Sequence, residues 1–153
     1  MERVIGIELI QSEFHDIIEP FLSLTTSYKE RIETFYVFTS LDEVNDLVVE
    51  LSEFEIIESI HKLYFLENPT LFHDFTDYGF HTSSGYYLLE GMTTYFTIDQ
   101  RDEGDQEMAL LQFDEHLLAI DEGIYYVDQH HQELIQNIAN AYNISIHFFE
   151  LDK

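Results

Sequence analysis

Asp42, Asp46, Glu50 and Glu53 recur at i, i+4, i+8 and i+11. On a helix that spacing sets them in one row, with neighbours roughly 5–6 Å apart. Like charges so placed destabilise a helix by about a few tenths of a kcal/mol per pair. A lysine at any of these positions would relieve the repulsion. Between Asp42 and Glu58 there are seven acids, Glu43 among them, and no base. A row of carboxylates can pair with the lysines and arginines that ordinarily hold phosphates. Phosphates along one DNA strand rise about 3.4 Å per nucleotide, and helical carboxylates approximate that spacing. The plain alternative for each residue is a solvated face.

A second acidic group runs from Asp99 to Glu133, with eleven acids and one base, Arg101. Asp99, Asp102, Glu103, Asp105, Glu107, Asp114, Glu115, Asp121 and Glu122 cluster at its turns. Ordinary turn chemistry and the blunting of exposed sheet edges explain part of this. Natural edges, however, usually employ lysine for that purpose, and lysine is missing here. Together with Asp42, Glu43, Asp46, Glu50 and Glu53, these nine carboxylates are the candidate protein-binding residues.

Other chemistry finds little support. Asp99 to Leu110 can be laid on a calcium loop with Gly104 at its turn. Arg101 at the third position and Leu110 at the twelfth break that pattern. Glu58 and His61 have the Glu-x-x-His spacing of di-iron bundles, but no second copy exists. There is no His-Glu-x-x-His, and His130 and His131 are adjacent, so on a helix they point apart. No metal and no cofactor is expected. The chain has no cysteine, no Gly-x-Ser-x-Gly and no Gly-rich phosphate loop. His81-Thr82-Ser83-Ser84-Gly85 reads as a polar loop. No catalytic residue is assigned, and the chain is not expected to be an enzyme.

The elements that must position these residues follow from periodicity. Arg3–Gln11 reads as a strand, and Ser12 as the cap of a short helix ending at Glu19, before Pro20. Ile32–Phe38 reads as a strand. Ser40-Leu41-Asp42-Glu43 is a capping box. Leu41, Val44, Leu47, Val48, Leu51 and Phe54 then form an apolar stripe at helical spacing. The helix is expected to continue through Ile57, Ile60, Leu63 and Tyr64 to a stop at Asn68-Pro69. From Gly85 to Val127 five short runs separated by turn clusters predict an antiparallel meander: Tyr86–Leu89, Thr93–Ile98, Met108–Phe113, His116–Ile120 and Ile124–Val127. Asp128 should cap a helix over Gln129–Tyr142, with Asn143 as its C-cap and a final strand over Ile144–Leu151. The sum is one α+β domain over residues 1–153, a mostly antiparallel sheet with two or three helices packed on one face.

Composition bounds the partner. The 153 residues carry 6 Lys plus Arg against 31 Asp plus Glu, a net charge of −25. Such a field repels nucleic acid and anionic membranes and attracts basic proteins. The 45% apolar and 15% aromatic content supports a packed core rather than a disordered tail. The aromatics belong to that core, with Tyr86, Tyr87, Tyr125 and Tyr126 as edge residues. Tyr125 and Tyr126 with the meander edge are the candidate homodimer contact. Met1–Ile10 lacks signal-peptide character, no run approaches the roughly 20 apolar residues of a spanning helix, and a cytoplasmic location is expected. Asn143-Ile144-Ser145 matches the glycosylation pattern by chance. Spread evenly on roughly 8,000 Å² of surface, the net charge leaves about one per 300 Å². Duplex DNA carries about one per 100 Å². A DNA mimic would therefore need its acids gathered on one side.

In charge, size and lysine poverty the chain resembles the small acidic proteins by which phages and plasmids block host restriction, CRISPR or DNA-repair machinery. The likeness is compositional, rests on no motif and transfers no residue role. It implies an inhibitor that occupies the basic nucleic-acid-binding surface of a target protein, with no direct contact to nucleic acid. Two alternatives stand beside it: an immunity protein that neutralises a basic toxin such as a nuclease, and a small enzyme with an acidic pocket for a cationic substrate. Salt adaptation, which needs no partner, sits poorly with so many large apolar residues.

Overall fold

The computed structural model describes residues 1–99 and 105–149. The chain divides into two compact units, Glu2–Tyr64 and Phe65–Lys153, the latter joined by Met1. The strands belong to two antiparallel sheets, so the fold is α+β, as the pattern of elements predicts.

In the first unit, β1 (Glu2–Leu9) is followed by α1 (His15–Thr25), β2 (Glu30–Ile32), β3 (Phe35–Phe38), α2 (Leu41–Leu51) and β4 (Ile57–Leu66). The strand order is β2-β3-β1-β4. β1 and β3 are antiparallel, with Ile7 opposite Tyr36 and Ile5 opposite Phe38. Ile7, Leu9, Tyr36 and Phe38 meet Leu22 of α1 and Val44, Leu47 and Leu51 of α2 in one core. Both helices therefore cover the same sheet face. Burying each such side chain stabilises the fold by about 1.5–3 kcal/mol. On the other face, a Cβ added at Gly6 would stand 2.1 Å from the Phe35 ring, so the ring occupies the space where a side chain would be.

Three expectations for this unit need correction. The expected strand Ile32–Phe38 is a hairpin, β2 and β3, turned at Glu33, whose φ is +54°. Pro20 does not stop α1, which starts at His15, not beside Ser12, and runs through the proline to Thr25. Proline leaves the Asp16 carbonyl without its helical donor, but both residues are exposed to water, while Ile18 and Leu22 on either side pack into the core. Packing outweighs the local preference. Third, α2 does not continue to Tyr64. It ends at Leu51, a 3-10 turn spans Ser52–Phe54, and Glu55 takes a left-handed φ of +51°. Ile57, Ile60, Leu63 and Tyr64 lie in β4, where β-branched and aromatic residues favour an extended chain.

The second unit holds β5 (Thr70–Leu71), β6 (Gly79–His81), β7 (Tyr86–Leu89), β8 (Thr93–Ile98), α3 (Gln106–Phe113), β9 (Leu117–Asp121), β10 (Ile124–Asp128), α4 (Gln132–Ala141) and β11 (Ile146–Phe148). β6 pairs with β7, and a five-stranded sheet has the order β11-β8-β10-β9-β5. Ala109 and Phe113 of α3 and Ile135 and Ala139 of α4 pack with Phe96, Leu117 and Val127 of that sheet. Among the described residues four α-helices, rather than the two or three expected, pack as two pairs, each pair sharing one core with its own unit's strands.

Here the expected meander is corrected in its pairing and at one element. β7 pairs with β6 rather than β8, β8 pairs with β10 and β11 rather than β9, and of the expected runs only β9 and β10 form a consecutive hairpin. Met108–Phe113 is helix, not strand, because Asp105 caps it and Met, Ala, Leu and Gln are good helix formers. Asp128 does cap the following turn, accepting the His130 N–H, whereas the C-cap of α4 is Tyr142, and Asn143, the residue after it rather than the expected C-cap, takes the left-handed φ of +55°. The regular helix begins at Gln132, after a 3-10 turn over Gln129–His131. Glu122 and Gly123, with φ of +51° and +78°, make the tight β9–β10 turn. The last strand is only Ile146–Phe148, and the expected extension through Glu150 and Leu151 lies outside the described residues.

Candidate functional site

The sequence of α2 decides where its acids go. Val44, Leu47 and Leu51 must face the core, so Asp42, Asp46 and Glu50 face away. All three are exposed, as is Glu53 in the 3-10 turn. Among the described residues none of the four lies within ion-pair distance of a base. Two bases of this unit serve other acids. Lys29 is 3.8 Å from Glu2, and Arg31 is 3.4 Å from Glu19. Hydrogen bonds from Ser23 and Tyr28 hold the Glu19 carboxyl below the usual range, opposed by desolvation and helped by the Arg31 charge.

Glu43 is different. Ser40 caps α2 by accepting the Glu43 N–H at 3.3 Å. The Glu43 carboxylate, rather than completing the capping box, accepts from the Ser27 N–H and, at 2.9 Å, from the Ser27 hydroxyl. It tethers the loop after α1 to the start of α2.

The acid row borders an apolar groove that the sequence reading misses. Phe14, Ile17 and Phe21 of the α1 segment form one wall, and Val49 and Phe54 the other. Glu50 and Glu53 also line it, and its volume is about 610 Å³. Phe54, expected in the core stripe, is 67% exposed, and Leu41 is 56% exposed. A signal for the groove exists in the sequence. Phe14, Ile17, Phe21 and Leu24 follow 3-4-3 spacing. A helix stopped at Glu19 cuts that stripe in half.

The second acidic group is not gathered in the same way. Asp105 is committed to capping α3, where it accepts the Met108 N–H at 3.1 Å. Asp121 is buried, and burial with the neighbouring Glu122 charge pushes its carboxyl up, against the pull of the N-terminal amine and the Asn68 backbone. Asp99 is half-buried. Glu107, Asp114, Glu115 and Glu122 are exposed. Asp102 and Glu103 lie outside the described residues. The candidate dimer contact is not at an edge: β10 is flanked by β8 and β9, Tyr126 is fully buried and Tyr125 stacks on Phe96 at 5.2 Å. Neither tyrosine lies on an edge strand. Tyr87, also expected near an edge, is fully buried.

One polar network has the residue types of a catalytic site. The Tyr78 hydroxyl donates to Asp128, and Asp128 accepts from the His130 backbone N–H at 2.8 Å and faces its ring nitrogen at 3.0 Å. Burial works to raise the Asp128 carboxyl, but these hydrogen bonds outweigh it and hold it below the usual range. The same bond, with burial, pushes the Tyr78 hydroxyl up to about 12. A tyrosine held protonated in this way is a structural donor, not an activated nucleophile. Among the described residues, no three His, Asp or Glu side chains are grouped so as to hold a metal ion. No helix among them is long and apolar enough to cross a membrane.

Compared with known protein families, curated proteins and solved structures, the chain matches none.

Proposed function

We propose that this protein is a stoichiometric inhibitor that binds a basic partner protein and covers the surface with which that partner holds nucleic acid. The observation that carries the reading is the α2 row: four exposed carboxylates with no base beside them among the described residues. From Asp42 to Glu53 the row rises roughly 16 Å, about one charge per 5–6 Å of axis. That is of the same order as the roughly 3.4 Å per phosphate of one DNA strand. The whole surface is far more dilute: −25 over 9370 Å² is about one charge per 375 Å². Imitation of a duplex by the entire surface is therefore disfavoured, and a local contact through α2 is favoured. Carboxylates there would pair with phosphate-binding lysines and arginines, and the protein's field would speed the encounter.

The apolar groove beside the row favours one second reading, immunity to a basic toxin, in which apolar anchors sit among the charges. The two readings share their electrostatics and differ in breadth.

The test immobilises the protein in lysate of its host at about 0.1 M salt, elutes with duplex DNA or with about 0.5 M salt, and assays the eluted protein's nucleic-acid activity with and without inhibitor. A DNA-displaced protein inhibited at one-to-one stoichiometry supports the proposal. A captured protein that DNA does not displace, or whose nucleic-acid activity is untouched, overturns it. Retention of a single toxin and no other nucleic-acid-binding protein selects the second reading.

A further inference from the structure

The groove between α1 and α2 is open on the solvent side. Ile17 is 71% exposed, Val49 73%, Phe14 63% and Phe54 67%. Isolated exposed apolar residues need no explanation, but four of this size around one depression mark a contact surface. Its floor comes from Leu51, Ile56 and Ile18, which already belong to or pack against the core, so the groove is a built feature of the fold. Its α1 wall continues to Leu24, 87% exposed. Phe14, Ile17, Phe21 and Leu24 repeat at the 3-4-3 spacing that a neighbouring helix reads as a seam.

We infer that this groove is the docking site for a basic amphipathic helix of the partner protein. The inference rests on the proposed function and names the shape of the partner's contact. Two ridges at helical spacing with a trough between them fit the apolar face of a third helix. Charge decides which helix. The lining holds two carboxylates, Glu50 and Glu53, and no base, and Asp42 and Asp46 extend the same acidic row along α2. A helix lying in the trough with lysine or arginine at its flanks meets those carboxylates. A second copy of this chain would bring another acidic row into the same groove, against a net charge of −25 on each molecule.

The probe is a labelled peptide of about 18 residues, five helical turns, built of leucine along one face and lysine along the other. Its affinity is measured by fluorescence anisotropy at about 0.1 M salt. Two control peptides are a scrambled leucine–lysine sequence without an apolar face and a leucine–glutamate helix. The protein variants are Ile17→Ser with Val49→Ser, both at exposed positions, and Glu50→Lys with Glu53→Lys, with circular dichroism to confirm folding. The expected result is binding of the leucine–lysine helix only, weakened about tenfold or more by each double variant. Equal binding of the scrambled peptide, or no loss with Ile17→Ser/Val49→Ser, overturns the groove in favour of diffuse charge attraction. Equal binding of the leucine–glutamate helix, or no loss with Glu50→Lys/Glu53→Lys, overturns the choice of a basic partner. A dimer in sedimentation that Ile17→Ser/Val49→Ser dissolves overturns it in favour of a second copy. If the peptide binds as expected while the captured partner is not displaced by DNA, only the nucleic-acid part of the proposed function falls.

Discussion

Replacing Asp46 by lysine should make the protein more stable while weakening its hold on a basic partner. Asp46 sits between Asp42 and Glu50 at i−4 and i+4 on α2, and all three are exposed. Each like-charged pair costs about 0.2–0.5 kcal/mol, and each opposite pair contributes about as much. With only these two i±4 neighbours counted, and Glu43 at i−3 left out because its carboxylate is bound to Ser27, Asp46→Lys removes two repulsions and creates two attractions, for a gain of about 0.8–2 kcal/mol at low salt. Asp46→Asn removes the repulsions alone and should yield about half. With a urea slope of about 2 kcal/mol per M, the lysine variant's midpoint rises by about 0.4–1 M. The gain should shrink in about 1 M salt, where the screening length is about 3 Å. Urea titrations of the three proteins at low and high salt check this. A lysine variant no more stable than wild type at low salt, or a gain indifferent to salt, would refute the claim that these acids repel one another on an open face. A stability gain coupled to lost partner binding is the signature of acids kept for function rather than for folding.

Other outcomes follow from the core, the caps and the titrating groups. Leu47→Ala in α2, 3% exposed, should cost about 2–5 kcal/mol, read as a lower thermal midpoint. Asp105→Ala should cost about 0.5–2 kcal/mol by uncapping α3, and Asp105→Ser should recover most of it. The Asp128 carboxyl is held low in the fold, so its stabilisation is present above its unfolded value and is lost as pH falls through the folded one. Asp128→Asn should therefore lower stability at pH about 7 and flatten its decline in the acid range, as urea midpoints across pH would record. Gly79→Ala places a Cβ 2.0 Å from the Tyr87 carbonyl oxygen. It should open the β6–β7 hairpin and speed amide exchange at Phe80 and His81.

The legibility of the site differs by helix. The acid row of α2 was visible because the buried stripe Val44, Leu47, Leu51 leaves the opposite face to whatever occupies it. The groove is not legible in that way, because Pro20 is a local helix-breaking signal that ends the expected helix at Glu19. What holds α1 through the proline is burial of Leu22 and Ile18 against residues far along the chain. Phe54 misled in the other direction: it fits the periodicity of α2, but the helix tightens to a 3-10 turn before it and the stripe loses phase. Asp121, placed among the surface acids, is buried at the end of β9, which no turn pattern reveals.

By itself the sequence determined the α+β class, the caps at Ser40 and Asp128, and a surface dominated by negative charge. Each of these depends on residue type and on neighbours within a turn or two. Local periodicity reads β4 as helix and Met108–Phe113 as strand, since short apolar runs satisfy both periods and only their long-range partners choose. The tertiary structure decided which acids stand free, which are bound as tethers or caps, and that an apolar groove opens beside the free ones. Exposure depends on what packs opposite a residue, and in this chain those neighbours come from other elements.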